Sequence, residues 1–198
     1  MLIHAPITMA PLEKSDFTPV FHPLLKSKLP EEVCETSGLF FHNGRLWTHN
    51  DSGGEPVLYA LDTTTFCIVQ RITLANAKNI DWEDVCNDGE YVYIGDFGNN
   101  RGNRKDLCVY KLPLSSIPEE GDAMLSAEII RFSYADQTDF TERKINDFDC
   151  EAFFATDDYL YLLTKSWKTG YTKLSRLSKA PGICVAELVN RFDSQGLG

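Results

Sequence analysis

The stretch Leu39-Phe40-Phe41-His42-Asn43-Gly44-Arg45-Leu46-Trp47-Thr48 decides the fold. Two short runs of aromatic and branched residues flank Asn-Gly. That dipeptide suits a two-residue hairpin turn because both positions accept positive φ. The spacing predicts two antiparallel strands, and residues 57–61 and 67–74 supply two more. The pattern then returns. Val85-Cys86, Asn87-Asp88-Gly89 and Tyr91-Val92-Tyr93-Ile94 form a second hairpin, followed by strands at 107–112 and 127–134. A third copy runs through Ala152-Phe153-Phe154, Asp157-Asp158, 159–163, 172–177 and 184–191. Helical periodicity is weak throughout.

The three copies share a register. Leu46, Val92 and Leu160 align, as do Trp47, Tyr93 and Tyr161, which places Trp47 in the packing between repeats. Just before each first strand Glu35, Asp81 and Asp149 align, and two residues on, Ser37, Glu83 and Glu151. The interval from 35 to 81 is 46 residues and that from 81 to 149 is 68. The excess falls in a polar insertion at about 115–146. Repeats of about 40–50 residues with four strands each predict an all-β β-propeller. A β-sandwich is the alternative, but it does not account for acidic residues aligned at each repeat start. The blades fall at about 33–76, 79–136 and 147–193, and 1–32 is an N-terminal segment whose residues from 15 onward can supply a closing outer strand. Closed propellers carry about four to eight blades. Three visible blades therefore read as a truncated portion of a larger propeller, about six-bladed.

Composition narrows the function. The 198 residues carry 19 Lys+Arg against 29 Asp+Glu, a net charge of −10. Such a surface repels phosphate backbones, so nucleic acid is not an expected partner. No apolar run approaches the ~20 residues of a membrane helix, and the N-terminus lacks the basic start and apolar core of a signal peptide. The expectation is a chain that stays soluble where it is made, cytoplasmic as written. Six cysteines are spread without a Cys-x-x-Cys pair and several lie in apolar runs, such as Phe66-Cys67-Ile68 and Leu107-Cys108-Val109, so they read as small buried hydrophobes. There is no His-x-x-x-His pair, no Gly-x-Ser-x-Gly elbow and no phosphate-binding loop.

Neighbouring antiparallel strands run in opposite directions, so the start of a first strand and the end of a second share one edge. Glu35, Asp81, Glu83, Asp149 and Glu151 precede first strands. Asn50-Asp51, Asp96 with Asn99-Asn100, and Thr164-Lys165 end second strands. Both sets are expected at one face, near the mouth of a central channel. Turn chemistry accounts for any single Asp or Asn here, but it does not require Glu35, Glu83 or Glu151. Converging carboxylates raise one another's pKa or are neutralised by a cation, and oxygen-only donors suit a hard ion such as Ca²⁺. Lys165, with Arg101 or Arg104, can offset part of the charge. Trp82, between Asp81 and Glu83, is a candidate for stacking on a ligand. Trp167 has no reading beyond packing.

Glu35-Thr36-Ser37-Gly38-Leu39, His49-Asn50-Asp51-Ser52-Gly53-Gly54, Asp81-Trp82-Glu83-Asp84, Gly95-Asp96-Phe97-Gly98-Asn99-Asn100, Asp149-Cys150-Glu151-Ala152 and Leu163-Thr164-Lys165 resemble a family of bacterial β-propeller proteins without an assigned activity. The resemblance covers about residues 33–198. It implies a longer relative, often secreted. More distantly, the arrangement is similar to six-bladed calcium propellers of the gluconolactonase and paraoxonase type. By that resemblance Glu35, Asn50 and Asp96 would be ligands of a divalent ion in the channel.

The resulting expectation is a propeller whose acidic funnel binds a divalent, Ca²⁺-like cation and hydrolyses a small ester, lactone or phosphoester. Glu35, Asn50, Asp96, Asp81 and Asp149 are the candidate metal ligands. Glu83 or Glu151 is the general base, and Lys165 steadies developing negative charge. Trp82, Asp51, Asn99 and Asn100 would contact the ligand. The alternative is a non-enzymatic module that holds a small molecule or a protein, with a structural ion or none. A truncated ring would also self-associate through exposed blade edges.

Overall fold

The alternation of apolar and polar residues in each run produces strands with one face in and one face out. In a computed structural model, which describes residues 27–193, these strands follow one another with a single 3₁₀ turn (Leu114–Ser116) and no α-helix among the described residues. The proposed closing strand of the N-terminal segment lies largely outside the described residues. Three antiparallel four-stranded meanders result. The first comprises β1 (Thr36–His42), β2 (Arg45–Asn50), β3 (Val57–Asp62) and β4 (Ile68–Leu74). The second comprises β5 (Trp82–Asn87), β6 (Tyr91–Asp96), β7 (Cys108–Pro113) and β9 (Glu128–Tyr134). The third comprises β10 (Asp149–Ala155), β11 (Tyr159–Lys165), β12 (Tyr171–Ser178) and β13 (Gly182–Asp193). Asn43 and Gly44 take φ of 48° and 73°, so the first hairpin closes on the turn that its sequence announces.

Two sheets hold these strands. One has five strands in the order β1-β2-β3-β4-β8, where β8 is Ala123–Leu125. The other has eight, β10-β11-β12-β13-β9-β7-β6-β5. The joints are parallel and repeat one device. β8, which precedes β9, lies along the outer strand of the first meander with Ile72 opposite Ala123 and Leu74 opposite Leu125. The first half of β13 lies along β9 with Ile130 opposite Gly182 and Tyr134 opposite Ala186, before the second half turns to β12. In both joints a segment at or just before the last strand of a later meander lies along the outer strand of the meander before it. The extra length of the second interval is accordingly divided: residues 114–127 make the 3₁₀ turn and β8, and a long loop occupies 135–148.

The core lies between meanders. Phe40, Trp47, Leu58 and Ile72 of the first pack on Trp82, Val85, Ile94 and Leu112 of the second. On the other side of the second meander, Tyr93, Phe97, Val109 and Phe132 pack on Phe153, Leu160, Leu162 and Leu177 of the third. Each such fully buried side chain contributes about 1.5–3 kcal/mol. The first strands of the three meanders, β1, β5 and β10, meet, with β5 in the middle. Cys108 and Cys150 are buried as expected, but Cys67 is exposed: Phe66 turns at φ 58° and carries it out before β4 begins.

Candidate metal centre

Pairing slips at the same place in each first strand, between Thr36 and Leu39, between Trp82 and Asp84, and between Cys150 and Ala152. A bulge there re-aims the side chain that it contains. The residues in the slip are Ser37 with Gly38, Glu83 and Glu151. Glu83 and Glu151 are half-buried and face each other's charge; Ser37 instead donates its hydroxyl to the Glu83 carbonyl and ties β1 to β5.

Carboxylate oxygens of Asp51, Asp81 and Glu83 all lie within 4.8 Å of one another, and all three residues are half-buried. Asp51 arrives from the end of β2, where its N–H donates to the Glu35 carbonyl at 2.8 Å. Asn79 clamps it from the segment between β4 and β5: its side-chain amide donates to the carbonyls of Asn50 and Asp51, while its Oδ1 accepts from Trp82 N–H at 3.2 Å. Asp81 precedes β5, and Glu83 sits in its bulge. Gly98 lies against both carboxylates, and a Cβ on it would collide with Asp81 Oδ2 and Glu83 Oε1. A larger residue at this position would therefore push the two carboxylates out of their present arrangement.

The electrostatics follow from the crowding. Burial, then Glu151, Asp81, Asp51 and Asp149, push the Glu83 carboxyl up to about 9. Burial also raises Asp81, with Asp51 and Asp149 adding to the shift and Arg104 and Asn100 opposing it. Glu151 is raised by burial and Asp149, and Lys165 opposes, its Nζ 3.9 Å from Glu151 Oε1. At neutral pH the group carries a proton or asks for a cation. Oxygen donors without His or Cys fit a hard divalent ion. Asp149 is fully buried; its Oδ1 accepts from Asn99 N–H at 2.7 Å, and its Oδ2 has no hydrogen-bond partner.

Several expected site residues lie elsewhere. Glu35 is exposed and outside the carboxylate cluster; the aligned position is filled in the second repeat by Asp81. Asn50 donates its side-chain N–H to the Glu32 carbonyl at 2.7 Å, while its buried Oδ1 has no hydrogen-bond partner. Asp96 is fully buried and belongs to Arg104: Oδ1 accepts from Arg104 Nη2 at 2.9 Å and from Asp81 N–H at 3.1 Å. Burial raises its pKa, and the guanidinium opposes. Asn99 is buried and organises the loop after β6, accepting from Arg104 N–H at 3.0 Å. Asn100 alone of that pair reaches the cluster, at 3.5 Å from Asp81 Oδ2. Arg101 pairs with Glu142 at the surface.

Trp82 is the clearest correction. It is 0% exposed, its indole N–H donates to the Lys78 carbonyl at 2.9 Å, and its ring meets His49 edge-on at 5.6 Å. It is a core residue and offers no face to a ligand. His49 is likewise structural: Nδ1 donates to the Asn50 carbonyl and Nε2 accepts from Gly38 N–H, and burial lowers its pKa and keeps it neutral. Asn79 and Gly98 were not singled out by the sequence reading. Asn79 lies between repeats, where no alignment draws attention to it; Gly98 is visible only as one glycine of Gly95-Asp96-Phe97-Gly98.

No protein-family model matches this chain, and no curated protein matches it in sequence.

Proposed function

We propose that the three meanders are blades of a β-propeller, part of a ring of about six, and that the acidic face binds a divalent cation of the Ca²⁺ type. The shared bulge, the adjoining first strands and the repeated parallel joint support the propeller reading. Leu39 and Phe41, 60% and 62% exposed on the outer side of β1, are apolar surface of the kind that a further blade or a second chain would cover. The observation that carries the ion site is the convergence of Asp51, Asp81 and Glu83 within 4.8 Å in a half-buried position. Asp51, Asp81 and Glu83 would hold the ion, with Asp149 and Glu151 adding negative charge behind them. When bound, the ion supplies Lewis acidity toward a small ester, lactone or phosphoester. Glu151 is then the carboxylate left for general-base work, and Lys165 is placed to meet an anionic oxygen.

A second reading has its own observation. Glu83 is among the ion's own candidate ligands, and Glu151 is already paired with Lys165. That leaves no uncommitted carboxylate, which favours a binding module whose ion is structural. Melting in EDTA against millimolar Ca²⁺ tests the ion. A rise of several degrees that Glu83→Gln removes supports the site, and no rise refutes it. Metal-dependent turnover of generic esters, lactones or phosphoesters that Glu151→Gln abolishes would select the hydrolase. Ca²⁺ binding without turnover would select the module.

A further inference from the structure

A second polar cavity of ≈340 Å³ lies under the 135–148 loop, against β12, β13 and the turn before β12. None of the three clustered carboxylates lines it. At its wall stands Lys173, a residue only 5% exposed. Its Nζ lies 2.9 Å from Asp136 Oδ2 and 3.5 Å above the centre of the Phe148 ring. Arg191 Nη2 approaches the same Asp136 oxygen at 3.6 Å. We propose that this cavity binds a small monoanionic organic acid, with its carboxylate received by Lys173 and Arg191.

The charges lining the cavity carry the argument. Lys168, Lys173, Arg143 and Arg191 face Asp136, Asp139 and Asp147, one positive charge in excess, in a chain whose net charge is −10. The three carboxylates are already engaged. Asp136 serves Lys173 and Arg191. Asp139 takes Arg143 and the N–H of Thr141. Asp147 Oδ1 accepts the N–H groups of Lys168 and Thr169 at 3.0 and 3.1 Å. An ammonium has three donors and a guanidinium five, so one shared carboxylate leaves N–H groups on Lys173 and Arg191 for a second anion. Burial holds the Lys173 pKa below the ordinary lysine range, and Asp136 opposes that shift. A second carboxylate on the ammonium would offset the same desolvation. Ile145 and Phe148 give the acid an apolar wall, and Thr138 adds a polar residue to the lining.

Isothermal titration with sodium benzoate tests the site, with benzamide as the uncharged isostere and inorganic phosphate as the competing anion. Benzoate is expected to bind saturably at one site, and benzamide at least about tenfold more weakly, the loss of one charge-assisted hydrogen bond. Lys173→Met keeps the chain length over Phe148 and is expected to abolish binding. Arg191→Gln, at an exposed position that folding tolerates, is expected to weaken it about tenfold. If the Lys173 variant does not fold, Arg191→Gln decides. Absence of benzoate binding up to about 10 mM, equal binding of benzamide, or unchanged binding in Arg191→Gln overturns the proposal. Binding of phosphate in place of benzoate overturns the assignment to an organic acid.

Discussion

Asp96 and Glu83 stand on paired strands of one hairpin and meet opposite fates. Asp96 is the more deeply buried, yet its oxygen finds Arg104 at 2.9 Å and the Asp81 N–H at 3.1 Å. Glu83 keeps more contact with water, yet its neighbours Asp51, Asp81 and Glu151 bear its own sign. Burial alone therefore does not mark a functional carboxylate in this protein. What separates the two is whether the fold supplies the opposite charge. Asp96 is an element of structure, holding the loop after β6 in place through Arg104, which also donates to the Gly98 carbonyl at 2.9 Å. Gly98 in turn lies against Asp81 and Glu83. The Asp96–Arg104 pair thus builds the wall on which the carboxylate cluster rests.

The comparison can be broken most severely at Arg104. Arg104→Met leaves Asp96 buried without a partner and is expected to cost about 3–5 kcal/mol in urea unfolding; a loss under about 1 kcal/mol would mean that Asp96 has simply taken a proton. Next in size is the ion effect. If the proposed site holds Ca²⁺, saturation at 100 times Kd is expected to stabilise the folded chain by about 2.7 kcal/mol, and Gly98→Ala and Glu83→Gln are both expected to remove this gain. Differential scanning calorimetry with and without Ca²⁺ checks both.

The third expectation concerns pH. Glu83 binds its proton more tightly folded than unfolded, with a folded value of about 9 against an ordinary 4.5. The folded state therefore holds more protons across that window, and stability in EDTA falls as pH rises from about 5 toward 9. Asp81 and Glu151 are raised in the same direction. Glu83→Gln is expected to flatten this slope, and Ca²⁺ to relieve it; a melting temperature that rises over the window would contradict the assigned shift. The smallest effect is at Glu35. Glu35→Gln is expected to leave the Ca²⁺-induced rise in melting temperature unchanged within error, because this carboxylate lies outside the cluster. A lost rise would return Glu35 to the ligand set.

The strands were legible because period-two alternation and Asn-Gly or Asp-Gly turns are local signals. The shared edge was legible from strand direction, and it brought Asp51, Asp81 and Glu83 together on the page as in the fold. Trp82 was misread because its acidic neighbours on either side drew it to the rim. In a strand those neighbours point the other way, and the indole goes into the core. Asp96 and Asn50 looked like ligands because a single sequence does not say which carboxylate Arg104 will meet or that Asn50 will reach the Glu32 carbonyl; both partners come from irregular segments. The bulges that aim Glu83 and Glu151 leave no signature in a single sequence, and neither do the parallel joints, whose partners are 51 residues apart in one and 52 in the other.

Those parallel joints bear on the order in which the chain can assemble. The first meander reaches Leu74 with its outer edge unpaired, and the strand that covers that edge, Ala123–Leu125, is made only after β5, β6 and β7. The second meander waits in the same way for Gly182–Ala186. During synthesis each unit therefore spends the time of about 50 further residues with an open hydrogen-bonding rim, a period in which a holdase or a neighbouring nascent chain competes for it. The same overlap also couples the units once they are made: one meander cannot melt without stripping a strand from the next, so the described residues are expected to unfold as a single cooperative body and not unit by unit.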